Sequence, residues 1–141
     1  MDYEELREFK EVAKLDFATF FLNHDQDILM VKYHQNTTID LEKAMLTVET
    51  VYPFISNGAI YGLTDATESH LVITQEARHY YKDNKSMQLS MAHAVVVKEL
   101  SVRLMANFFA KFDKPITTTK VFNNFQSALS WLENQKLKMA N

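Results

Sequence analysis

Apolar positions change phase along this chain, and the changes mark its elements. Residues 92–97 are nearly uncharged and end in three consecutive valines. β-branched side chains suit a pleated strand, and an unbroken apolar run implies burial on both faces. From 99 to 112 the period becomes helical, with Leu100, Leu104, Met105, Phe108, Phe109 and Phe112 recurring at three- and four-residue spacing. Asp113-Lys114-Pro115 ends that helix, because proline cannot continue the hydrogen-bond ladder. Val95, Val96 and Leu104 are expected in one core.

The other segments read as layers around this pair. Residues 2–10 set Tyr3, Leu6 and Phe9 on one side of a short helix, a frayed terminus being the alternative. Residues 14–22 form an aromatic-rich strand, 23–27 a polar turn and 28–34 a second strand, which together predict an antiparallel hairpin. Asp40 caps a helix whose apolar stripe is Leu41, Ala44, Met45, Val48, Tyr52 and Ile55. Pro53 predicts a bent last turn, and Asn57-Gly58 stops the helix. Residues 59–66 are the third strand. Thr74 caps a helix to Asp83 with Ala77, Tyr80 and Tyr81 as its contacts. Residues 117–122 are the last strand, and Asn123 or Asn124 caps a helix carrying Phe125, Ala128, Leu129 and Leu132.

The order β-β-α-β-α-β-α-β-α predicts an α/β fold, a mostly parallel sheet with one antiparallel N-terminal edge strand. Residues 1–12 form an N-terminal extension, helical in the first reading above, and 13–141 a single domain. Composition narrows the classes. The formal charge of −3 does not describe a nucleic-acid surface. No cysteine occurs, so disulfides, thiolate catalysis and iron–sulfur clusters are excluded. No run approaches the roughly 18 apolar residues of a membrane span, and the acidic start is unlike a signal peptide, so the expected location is the cytoplasm. Two isolated glycines, Gly58 and Gly62, cannot make a phosphate-cradling loop.

Specific residues then carry a resemblance. Arg103-Leu104-Met105-Ala106-Asn107-Phe108-Phe109 with Lys114-Pro115, Lys120-Val121-Phe122 and Ala128-Leu129-Ser130-Trp131-Leu132, together with Leu63-Thr64-Asp65-Ala66 and Ile73-Thr74-Gln75-Glu76-Ala77-Arg78, resemble the STAS and SEC14-like group. These are relatives of bacterial anti-sigma-factor antagonists, and small stand-alone members of unassigned function are the nearest in kind. The resemblance spans about 15–132 and implies the fold and a bacterial origin but little about chemistry; together with the missing catalytic constellation it leads to the expectation of no enzymatic activity, no cofactor and a protein partner. In the family, a serine in an Asp-Ser-Ser-Gly motif is the phosphorylation switch. Thr74 falls at its place as the phospho-acceptor, but the leading acid and the glycine are missing. The plainer role for Thr74 is a helix cap worth about 1 kcal/mol.

The residues themselves leave few chemical constellations. His24, Asp25 and Asp27 share a polar turn, and no histidine pair has the helical spacing of a zinc motif. His93 enters the valine strand, where a hydrogen-bonded core histidine outweighs a catalytic one. Glu68, Ser69 and His70 are adjacent in sequence, which is not triad geometry. The crevice beyond the carboxyl ends of the strands collects Asp65, Thr67, Lys98, Ser101 and Arg103 as a ligand site. Asp65 and Lys98 either pair with each other or face that ligand. The 99–112 helix is apolar on more than one side, which makes Val102, Phe109 and Phe112 an interface for a partner or a second copy. A regulatory interaction module is the first reading, and a small-molecule or lipid carrier of the SEC14-like type, holding an apolar ligand, is the alternative.

Overall fold

The computed structural model describes residues 8–67, 72–84, 90–98 and 118–140. Three strands open the described residues: β1 (Phe9–Lys14), β2 (Ala18–Asn23) and β3 (Ile28–Tyr33). They form an antiparallel meander, with Phe9 opposite Asn23, Lys14 opposite Thr19, and Ala18 opposite Tyr33. The expected N-terminal helix is therefore corrected in its described part. Phe9 and Lys10 belong to an outer strand, and Tyr3 and Leu6 lie outside the described residues. A bulge between Glu11 and Ala13 interrupts β1 and hides its alternation from the sequence.

From β3 onward the sheet is parallel. β5 (Tyr61–Asp65), β7 (Ala92–Val96) and β8 (Thr118–Phe122) follow it in the order β1-β2-β3-β5-β7-β8. The mixed sheet, with an antiparallel N-terminal side and a mostly parallel remainder, is thus the expected architecture, one strand wider than the sequence suggested. A second parallel pair was also missed: β4 (Thr38–Ile39) bonds to β6 (Val72–Ile73). Two-residue strands leave no readable period.

Side-chain alternation sends the strands into two apolar layers. Phe20, Leu29, Val31 and Tyr33 pack on one face with helix α1 (Leu41–Ser56) and Ala77 of helix α2 (Gln75–Asp83). Ile28, Met30, Leu63, Ala94 and Val96 pack on the other with Phe125, Ala128 and Leu132 of helix α3 (Phe125–Ala140). Val96 is 1% exposed, so the valine strand is interior as expected. Val95, expected in the same core, packs against the opposite layer. Leu104 and the whole 99–112 helix lie outside the described residues.

Asp40 caps α1 as expected, accepting from the Lys43 amide at 2.9 Å. Pro53 lies within the helix, which continues to Ser56. Gly58, at φ +109°, takes the left-handed turn that follows, and its amide donates to Ile55 O at 3.1 Å. The buried face is Ala44, Thr47, Val48, Val51 and Ile55. Leu41, Met45 and Tyr52, half of the expected stripe, are exposed instead. Thr47 can replace them inside because its hydroxyl donates to Lys43 O at 2.8 Å.

Candidate functional site

The parallel strands end on one register line: Lys32, Asp65, Val96 and Phe122 are successive partners. The ladder runs one step further, with Ala66 N donating to Val96 O and Val97 N to Phe122 O, both at 2.9 Å. Asp65 is 4% exposed. Its Oδ1 accepts from the Thr67 amide at 3.0 Å and from the Thr67 hydroxyl at 2.6 Å. This is an Asx turn, in which the carboxylate closes the strand end on its own chain. Lys98 is exposed and makes no ion pair with Asp65, so the pairing reading is corrected. The structure brings Asp65 and Thr67 together and leaves Lys98 apart. Ser101 and Arg103 lie outside the described residues, as do Val102, Phe109 and Phe112.

Thr74 stands at the start of α2. Its Oγ1 accepts from the Ala77 amide at 3.2 Å, and its own amide donates to Ile39 O at 3.0 Å. The β4–β6 pair therefore fixes where α2 begins, and the hydroxyl oxygen is used as a cap. Arg78 Nη1 adds a bond to Ile73 O at 3.3 Å.

His93 and His34 are held by their own neighbours. His93 Nε2 lies 2.7 Å from Thr64 Oγ1. Burial pushes the imidazole down to about 4, so it is neutral at physiological pH. A hydroxyl beside an imidazole resembles a nucleophile and its base, yet a base this weak draws a proton poorly near neutrality. Gly62 is the register partner of His93, and the ring occupies the space a side chain there would take. A glycine within a strand signals such close approach, but its partner cannot be named without the register. His34 clasps the β1–β2 turn through Nδ1 to Asp16 O at 2.9 Å and Nε2 to Thr19 Oγ1 at 3.0 Å. In the β2–β3 turn the Asn23 side chain is the organiser. Its Oδ1 accepts from the amides of Asp27 and Ile28, and its Nδ2 donates to Asp27 Oδ1 at 2.7 Å. Asp27 Oδ2 pairs with Lys136 of α3 at 2.9 Å.

Sequence reasoning missed one polar cluster, Tyr33, Thr47 and Tyr81, where β3, α1 and α2 meet. Burial raises the Tyr33 phenol well above its ordinary value, and neighbouring Tyr81 raises it further. Burial also raises Tyr81, against a smaller lowering by nearby Thr47 and Tyr33. The Tyr81 hydroxyl is buried without closing a hydrogen bond. Three residues so far apart along the chain carry no sequence signal of their meeting.

The model of a family described as Domain of unknown function (DUF7793) matches residues 21–136. No curated protein matches the chain. In structure it is similar to an uncharacterized protein of the DUF3478 family with a SpoIIAA-like fold from Shewanella loihica. That likeness has a TM-score of 0.61 and 16% identity, over 87% of this chain and 99% of the other. It is also similar to an anti-sigma factor antagonist from Mycobacterium paratuberculosis, with a TM-score of 0.53 and 12% identity, over 86% of this chain and 99% of that one. Both likenesses establish a STAS/SpoIIAA-like fold.

Proposed function

The chain belongs to the family described as Domain of unknown function (DUF7793), and from that premise we propose that it is a regulatory module that binds a protein partner without catalysis. One observation carries this reading: the polar groups at the site hold the fold itself. Asp65 binds Thr67, Thr74 caps α2, and His93 bonds to Thr64 as a weak base. The fold shared with an anti-sigma factor antagonist supports the same reading by analogy. Thr74 is treated as a structural cap, so recognition would not wait on its phosphorylation. The contact residues proposed from the sequence are Val102, Phe109 and Phe112.

The test is interferometry of the purified chain against purified anti-sigma factors from its own genome, with native mass spectrometry of the same sample. Saturable binding by a ligand-free chain, weakened by Phe109→Asp with folding intact, is the expected result. A co-purifying apolar molecule together with no retained anti-sigma factor would instead identify a carrier.

A further inference from the structure

Leu41, Met45 and Tyr52 are 37%, 49% and 46% exposed, although each continues the apolar pattern of α1. Separations of four and seven residues put them on one line of the helix. Tyr81 of α2 approaches α1 at Thr47, on the opposite flank. The exposed line therefore lies on the flank of α1 away from Thr47 and Tyr81. Glu42 and Glu49 edge this line, both exposed, and neither has an ion pair among the described residues. The basic residue of the same turn, Lys43, is 3.9 Å from Asp40 instead.

From this arrangement we infer that the Leu41–Met45–Tyr52 line of α1 is a docking surface for a basic amphipathic helix of a partner protein. Its apolar face would cover the line and its lysines or arginines would meet Glu42 and Glu49. A second copy is a poorer occupant, because a two-fold contact along this line brings the glutamates of both copies together. An anionic membrane is disfavoured by the same acidic edge and by the net charge of −3. The inference rests on the proposed role as an interaction module and specifies one of its surfaces.

The probe is a synthetic amphipathic helical peptide with leucines on one face and lysines on the other, compared with its leucine/glutamate counterpart. Binding is read by fluorescence anisotropy and located by amide chemical-shift mapping. The lysine peptide should bind at least about tenfold more tightly, with shifts centred on α1. The pair Glu42→Lys and Glu49→Lys should invert the preference. Met45→Lys should abolish binding with an unchanged thermal midpoint, since the side chain is half exposed. Equal affinity for both peptides, shifts centred elsewhere, or undiminished binding by Met45→Lys would overturn the inference, as would self-association that Met45→Lys removes. If Met45→Lys still binds an anti-sigma factor while the peptide result fails, the surface is wrong and the module reading stands. If neither ligand binds wild type, both readings fall.

Discussion

The imidazole of His93 fills the space above Gly62, its partner across β5 and β7, and bonds to Thr64 on the same face. A β-carbon at position 62 would meet the ring's Cε1 at 2.8 Å, which is closer than such contacts normally come. Gly62→Ala is expected to cost about 1–3 kcal/mol, the usual range for overpacking. Combining it with His93→Ala should be markedly less than additive, because the clash disappears with the ring. Urea unfolding of the two single variants and the double variant measures this. Additivity would show that the ring yields freely.

The same histidine predicts a pH dependence. Its folded value of about 4 lies below the ordinary 6.5, so the unfolded chain binds the proton more readily. Stability is full above about pH 6.5 and is lost as pH falls towards 4, by up to about 3 kcal/mol from this group. His93→Gln should flatten the urea midpoint over that window relative to wild type. An unchanged slope would assign the acid sensitivity to other groups.

Val96 is buried at the end of β7, an interior strand between β5 and β8. Val96→Asp buries a charge among apolar neighbours, with Asp65 and Phe122 as its register partners, at a cost on the order of 4 kcal/mol. A variant with the wild-type denaturation midpoint would contradict the sheet order.

Thr74→Ala removes the bond to the Ala77 amide and should lower stability by about 1 kcal/mol. Thr74→Glu should leave partner binding unchanged, since the proposed contacts lie elsewhere. Release of a bound anti-sigma factor by Thr74→Glu, with folding intact, would establish the phosphorylation switch.

The sequence disclosed most where burial is two-sided or a cap is local. The valine run marks β7, and Asp40 and Thr74 mark their helix starts, because each signal is contained within a few neighbouring residues. β1 was hidden by its bulge, and β4 and β6 by their length. On α1 the period was visible but its inward direction was not. That direction depends on where the sheet and α2 sit, which puts Thr47 and Val51 inside and Met45 and Tyr52 outside. At the site, Asp65 and Thr67 were found as a pair of polar residues at a strand end. Their mutual bond, which turns a candidate ligand contact into a turn, is a matter of rotamers.

The sheet order also sets a sequence of events in time. β1, β2 and β3 pair through short turns, whereas β3–β5 and β5–β7 each wait for an intervening stretch of chain. Contacts between distant residues close slowly, and the amino-terminal part is made first. The meander can therefore gather while the rest is still being synthesised, with the far edge of β3 open until β5 arrives. Pulse-labelled hydrogen exchange during refolding should protect β1–β3 amides before those of β7 and β8. Until β5 closes that edge, the half-built sheet has a strand available to another nascent copy, and crowded synthesis is the moment of greatest exposure to misassembly.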